Sequence, residues 1–249
     1  MNEISFLDEL AANARPARVQ QALEGWRLRA ADGITRRANS VLTNAPIPAY
    51  PAWLEAVEDF YRRQGLPARY QLSPASPPEL DGILEARGYS LSRQTAVMIG
   101  TVQSVLALAA PSPNIVVNVE EQVTDDWLDA FLTAEGFPAT HRPPYKQAFS
   151  SIGPRATFAL STEGEQPTGV GIAVAERGWS GLFSVATCMP FRRRGIGREI
   201  VRSLASWSRD IDAHRIYLQV VAGNTPAVNL YTQLGFTVLY SYYYREKTL

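Results

Sequence analysis

Apolar residues recur at two periods along this chain, and the switches between the periods outline its elements. Leu54, Val57, Phe60 and Tyr61 fall three and four apart, which predicts a helix over Pro51–Gln64 with one buried face. Ile200, Val201, Leu204, Ser208 and Ile211 do the same and predict an amphipathic helix over Gly197–Ile211. Short apolar runs predict strands at Trp26–Ala31 and Thr35–Val41, joined by the hairpin signal Asp32-Gly33. Further strands are predicted at Arg69–Leu72 and Tyr89–Gly100, with a helix at Pro78–Arg87 between them. The second half predicts strands at Ile115–Val119, Thr157–Ser161, Gly169–Ala175, Gly181–Cys188, Ile216–Val221 and Phe236–Tyr244, with a turn at Glu163-Gly164. Its helices are predicted over Asp125–Glu135, capped by Thr124, and over Tyr145–Ile152. Asn224 caps a last helix with Pro226 in its first turn and Gly235 at its end.

Pro and Ser cluster at Ala110–Pro113, which places a domain boundary near residue 112. The two parts, 1–112 and 113–249, echo one another. Ser40-Val41 precedes Ser184-Val185 by 144 positions, and Val57 precedes Val201 by the same interval. The turn Asp32-Gly33 matches Arg177-Gly178 at nearly that offset, and Gly88-Tyr89 matches Gly235-Phe236 once small gaps are allowed. The shared strand–helix–strand–helix–strand order reads the first part as a truncated, diverged copy of the second. The fold class is α/β (α+β), with a mixed central sheet flanked by helices.

Composition narrows the class of function. Lys+Arg and Asp+Glu each total 24, so the formal net charge is zero, and no basic excess points to nucleic acid. The single cysteine, Cys188, cannot form an internal disulfide, which fits a reducing compartment. The opening MNEISFLDEL does not read as a signal peptide, and no apolar run reaches the length of a membrane span. A cytoplasmic protein is expected. No cluster of ligating residues predicts a metal.

The chemistry is concentrated after Gly181–Cys188. Met189-Pro190-Phe191 leads into Arg192-Arg193-Arg194-Gly195-Ile196-Gly197, followed by Arg198 and the predicted helix. Glycines at a strand-to-helix turn let backbone N–H groups converge on an anion, the helix dipole adds positive potential, and the arginines add mobile charge. This is a pyrophosphate site by construction. Taken alone, the same residues also describe a solvated basic loop. A dinucleotide enzyme is disfavoured, because the repeated parallel units are missing.

About thirty residues further on come Leu218-Gln219-Val220, Asn224, Ala227, Leu230-Tyr231 and Leu234-Gly235-Phe236. Together the two segments resemble the GNAT acetyltransferase superfamily over residues 115–249. Gly25-Trp26 and Thr35-Arg36-Arg37-Ala38-Asn39-Ser40-Val41 resemble the leading half of its two-part members. The resemblance implies a tandem arrangement: a degenerate half without a coenzyme site, then an acetyltransferase domain. It implies acetyl-CoA as cosubstrate, bound where the Gly181–Cys188 and Ile216–Val221 strands splay apart, and an amine as acceptor. Main-chain groups of Val185, Ala186 and Thr187 would hold the pantetheine arm and the thioester carbonyl. Backbone N–H groups from Arg192 through Arg193, Arg194, Gly195, Ile196 and Gly197 to Arg198 would hold the pyrophosphate. Asn224 would touch the pantetheine arm, and Tyr231 would protonate the leaving thiolate.

Two features depart from the pattern. The strand Leu182–Cys188 carries no carboxylate to serve as base, and the proline often found at Met189 is displaced to Pro190. The base is therefore unassigned: His141, Glu135 and Glu176 are candidates, each also readable as a solvated loop or strand-end residue, and loss of the amine's proton to bulk solvent before binding is the further alternative. Tyr231 is also readable as a core aromatic, and Cys188 as a small buried hydrophobe rather than a nucleophile. The missing carboxylate leaves room for an alternative, a non-catalytic acyl-CoA-binding or protein-interaction module.

Overall fold

The computed structural model of the protein describes residues 2–249. Helix α1, Glu3–Asn13, starts where the Asn2 side chain accepts from the Ser5 N–H at 2.8 Å, and it buries Leu7, Leu10 and Ala11. Strands β1, Val19–Leu23, and β2, Trp26–Ala30, form a hairpin closed by Glu24-Gly25, both at positive φ. Strand β3 is short, Val41–Leu42. Helix α2, Trp53–Arg63, buries Leu54, Val57, Phe60 and Tyr61, the face predicted from spacing. Strand β4, Ala68–Leu72, helix α3, Leu80–Ala86, and strand β5, Ser90–Leu91, follow.

Strand β6 spans Thr95–Thr101 and helix α4 spans Val102–Leu108. Strand β7 is Val116–Glu120, helix α5 Asp125–Glu135 and helix α6 Arg142–Ser150. Strands β8, Arg155–Glu163, β9, Gln166–Glu176, and β10, Trp179–Thr187, form an antiparallel meander. Helix α7, Ile196–Asp210, crosses to β11, Arg215–Val221, which lies parallel to β10. Helix α8, Thr225–Gln233, and strand β12, Thr237–Lys247, complete the chain.

Two compact units result. One holds the chain up to Ala96 with Val221–Gly223 and Tyr240–Leu249; the other holds Val97–Val220 and Asn224–Leu239. In the first, the strand order is β1-β2-β3-β4-β12; in the second it is β7-β8-β9-β10-β11-β6. Each unit therefore contains a strand from the other half of the sequence. Proline and serine near residue 112 follow α4, which belongs to the second unit, so the compact units divide elsewhere than at that loop.

The echo between the halves is topological as well as sequential. In both, two antiparallel pairings precede a helical crossover to a parallel strand, β1-β2-β3-α2-β4 and β8-β9-β10-α7-β11. Val57 and Val201, matched by the interval, are both fully buried on the crossover helix.

Several elements differ from their prediction. Asp32-Gly33 does turn the chain, with Ile34 N–H bonded to Ala31 O at 3.3 Å, yet Thr35–Ser40 forms no strand. The buried Asn39 side chain takes the ladder's place. Its oxygen accepts from the N–H groups of Ala31 and Gly33, and its amide donates to Ala31 O and Thr35 O. Tyr89–Gly100 splits into β5 and β6, and α1, β1 and α4 carry too few periodic positions to stand out.

In the second unit, α5 and α7 cover opposite faces of the sheet. Trp127 of α5 packs on Phe158 at 5.2 Å, while Cβ atoms at Gly169 and Gly171, on the other face, would meet Ile200 of α7. Among the described residues no helix is long and apolar enough to cross a membrane, and no group of His, Cys, Asp or Glu could hold a metal ion.

Candidate active site

The centre of the site is an irregularity in β10. Phe183 pairs with Ile172, but the next pair is Ala186 with Val170, so Ser184 and Val185 together face Gly171. Ser184 takes φ 50, outside the range a non-glycine residue usually adopts. The parallel pairing with β11 runs from Trp179↔Arg215 to Leu182↔Leu218 and stops there. Below that point β10 is hydrogen-bonded to β11; above it the strand pairs with β9 alone, through Ala186↔Val170 and Thr187↔Gly169. A carbonyl or amide of an extended ligand could pair with this edge.

Gly169 on the neighbouring strand makes room for the bulge. A Cβ at that position would lie 2.8 Å from the Ala186 carbonyl oxygen. The sequence reading missed this role. The two glycines at Gly169 and Gly171, alternating inside an apolar strand, were the available signal.

From Thr187 the chain makes a short 3-10 turn at Met189–Phe191 and then the arginine–glycine loop. Arg193 and Gly195 both have positive φ, 65 and 86 degrees. Helix α7 has no side chain capping its first turn, and its first backbone bond is Glu199 N–H to Gly195 O at 3.1 Å. The N–H groups of Ile196, Gly197 and Arg198 precede that bond and open on the loop side. These groups, with exposed Gly195, fit an anion such as a pyrophosphate.

The arginine side chains are less mobile than expected. Arg192 Nε donates to Thr187 O at 3.2 Å, Arg194 pairs with Glu163, and Arg198 donates to Leu108 O at 3.1 Å and Gln233 Oε1 at 3.0 Å. These contacts fix the loop against β8, β10, α4 and α8.

Asn224 caps α8, its side-chain oxygen accepting from Ala227 N–H at 3.4 Å. The helix ends at Gly235, φ 85, where Phe236 N–H bonds back to Tyr231 O at 3.0 Å. That turn presses the Phe236 ring onto Tyr231 at 5.8 Å. Tyr231 is buried, and burial first, then the charge of Glu135, pushes its phenol up to about 12. Cys188 is buried too, and burial raises its thiol. The nucleophile reading of Cys188 has no support in that environment.

The three candidate bases separate. Glu176 is the last residue of β9 and pairs opposite Trp179, with its carboxylate on Arg177 at 3.2 Å. From Trp179 to Val185 the strand rises about 20 Å, so Glu176 is at the far end of β10 from the bulge. His141 lies edge-on to Phe137 at 5.5 Å and to Tyr145 at 6.3 Å, with Nδ1 buried and unbonded. Glu135, the exposed last residue of α5, is the one whose charge acts on the Tyr231 phenol.

This geometry is the frame of an acyl-transfer fold, and comparison with known proteins gives the same class. A family model described as "Probable histone acetyltransferase Rv0428c C-terminal" matches residues 1–245. The Bacillus subtilis (strain 168) protein "Uncharacterized N-acetyltransferase YobR" is 33% identical over 247 residues, covering 99% of this chain and 100% of that protein. The fold matches a GCN5-related N-acetyltransferase from Kribbella flavida with a TM-score of 0.75 at 16% identity, over 99% of this chain and 96% of the other. It also matches a tandem GNAT protein from the clavulanic acid biosynthesis pathway, with a TM-score of 0.64 at 11% identity, over 80% and 71%. The chain belongs to the Rv0428c C-terminal family of acetyltransferases, within the GNAT superfamily.

Proposed function

We propose that the protein transfers an acetyl group from acetyl-CoA to a primary amine by direct attack in a ternary complex. The observation that carries this is the β10 bulge leading into an uncapped helix start. One strand offers an edge no longer paired with β11, and the loop after it offers converging N–H groups. A thioester on a pantetheine arm and a pyrophosphate require those two in that order along the chain.

Val185, Ala186 and Thr187 pair with the pantetheine arm and polarise the thioester carbonyl. The backbone from Arg192 to Arg198 holds the pyrophosphate, and Asn224 touches the arm. The neutral amine attacks the carbonyl carbon, the carbon–sulfur bond breaks, Tyr231 gives its proton to the departing sulfur, and the proton shed by the nitrogen returns to the phenolate through solvent. Holding both reactants against one strand supplies the orientation the step needs. The first half of the chain binds no coenzyme and has a structural role. The family description names histones, and a lysine side chain is one form of the primary amine proposed here.

The test is thiol release from acetyl-CoA by the full-length protein. The acceptors are spermidine, glucosamine, a lysine peptide with a blocked N-terminus and a peptide with a free one. Turnover with at least one amine is expected. Tight acetyl-CoA binding with no turnover on any of them would overturn the proposal.

A further inference from the structure

The run Ala110–Pro113, a boundary signal in the sequence, is not a loose connection. The segment links α4 to β7 inside one compact unit, and it is fastened to the first turn of α7 at three places. Leu108 O accepts from Arg198 Nη1 at 3.1 Å. Ser112 N–H donates to Glu199 Oε2 at 3.0 Å. The Ile115 side chain stands against Gly195, where a Cβ would meet its Cδ1 at 3.7 Å. Gly195, Arg198 and Glu199 fall three and four apart, so one face of the turn carries all three contacts.

The residue types explain the middle fastening. Pro111 and Pro113 have no N–H, so Ser112 holds the one backbone donor between positions 111 and 113, and the two rings stiffen the chain beside it. Glu199 is 3% exposed, a position that a carboxylate occupies only when it is paired. Arg202 Nε donates to its Oε1 at 2.7 Å, and the Ser112 N–H serves the other oxygen. By charge alone this carboxylate is badly placed. It lies one residue beyond the N–H groups of Ile196, Gly197 and Arg198, where a negative charge works against a pyrophosphate.

We propose that Glu199 is a positioning residue for the coenzyme. Through Ser112 it holds the segment 109–114 as a strap, and the far end of the strap, Ile115, backs the turn on which the anion-binding N–H groups converge. The inference rests on reading the Arg192–Arg198 loop as the pyrophosphate site of acetyl-CoA. Gly195 sits at φ 86 and, without a Cβ, is free to leave that conformation. A side chain packed against it from a fixed strap restrains that movement. The fastenings act on the first turn of α7, so the effect falls on the nucleotide end of the coenzyme and not on the thioester.

The experiment uses full-length protein, Glu199→Ala, Glu199→Gln and Ser112→Pro. Calorimetric titration gives the acetyl-CoA Kd. Steady-state kinetics with the panel amine of highest kcat/KM compares two donors, acetyl-CoA and S-acetyl-pantetheine, which has the thioester arm without the pyrophosphate. Glu199→Ala and Ser112→Pro are each expected to raise the acetyl-CoA Kd about tenfold, the loss of one hydrogen bond to a charged group. Their kcat at saturating acetyl-CoA, and their kcat/KM with S-acetyl-pantetheine, are expected to stay within about twofold. Glu199→Gln loses the charge but keeps an acceptor for the Ser112 N–H, so its Kd is expected within about threefold of the unmodified protein. A role through charge would give a different order, with the Ala and Gln variants alike and both binding more tightly. Ser112→Pro leaves the buried side chains of α7 in place, so it decides the matter if thermal melting shows Glu199→Ala unfolded. An unchanged Kd in Ser112→Pro, or an equal loss with both donors, would overturn the inference while leaving the acetyltransferase reading intact. If the unmodified protein binds no acetyl-CoA, the reading of the loop fails and this inference fails with it.

Discussion

Tyr231 sits where a core aromatic and a proton donor would both sit, and its ring contact with Phe236 alone cannot tell them apart. A phenol at about 12 facing a thiolate near 8.5 is a poor acid. That gap opposes transfer by roughly 5 kcal/mol. One effect narrows it: a thiolate formed in a dry pocket is itself raised, as burial raises the thiol of Cys188 just past the end of β10. Tyr231→Phe is therefore expected to lower kcat about a hundredfold with little change in the KM for acetyl-CoA. Steady-state kinetics decide it; normal turnover would return Tyr231 to a packing role. The motif around Tyr231 was legible in the sequence. The charge that tunes the residue was not, because Glu135 lies on a helix almost a hundred positions earlier. Asn39 makes the same point in the other direction. It stands in the run that resembles the leading half of two-part members, and its side-chain oxygen and amide are both used to hold a turn.

At the scale of elements, the site depends on a strand that fails to continue its ladder. The sequence placed β10, α7, β11 and α8 within a few residues of their bounds, because each has a clean period or a cap. It could not show the bulge. An extra residue in a strand changes which neighbour each side chain meets, and only the partner strand reveals that. Gly169 is the partner's contribution. Gly169→Ala would place a methyl group 2.8 Å from the Ala186 oxygen and 2.9 Å from Ile200 Cδ1. The carbonyl is backbone and cannot swing aside. We expect a loss of about 1–3 kcal/mol in stability and weaker acetyl-CoA binding, because the displaced segment is the one proposed to hold the thioester. Gly153→Ala, where a Cβ meets nothing within 4 Å, is the matched control. Chemical denaturation and calorimetric titration on both variants check the pair. Equal behaviour of the two would show that the bulge tolerates displacement.

For the whole molecule, the question is how many coenzymes a two-part chain takes. Val57 on Val201 sets Pro48, Pro51 and Trp53 against Arg192, Gly195 and Gly197. Proline has no N–H to offer. Ala49 N–H, opposite Arg193, is already given to the Glu24 carboxylate at 2.6 Å. The Trp53 ring packs on Trp26 at 5.3 Å and on Tyr70 at 6.3 Å, as a core residue would. We expect a stoichiometry of one acetyl-CoA per chain by calorimetry, and a fitted value near two would contradict it. The measurement requires the full chain, because a fragment ending at residue 112 lacks the strand that pairs with β4. By itself the sequence determined the repeated topology, the superfamily, and the positions of the glycine loop and Tyr231. Those are local matters of period, cap and motif. Only the tertiary structure decided where β10 parts from β11, where its pairing with β9 is shifted, and that each compact unit is finished by a strand from the other half of the chain. Each of these depends on residues brought together from distant positions, and a one-dimensional pattern carries no record of which distant segments will pair.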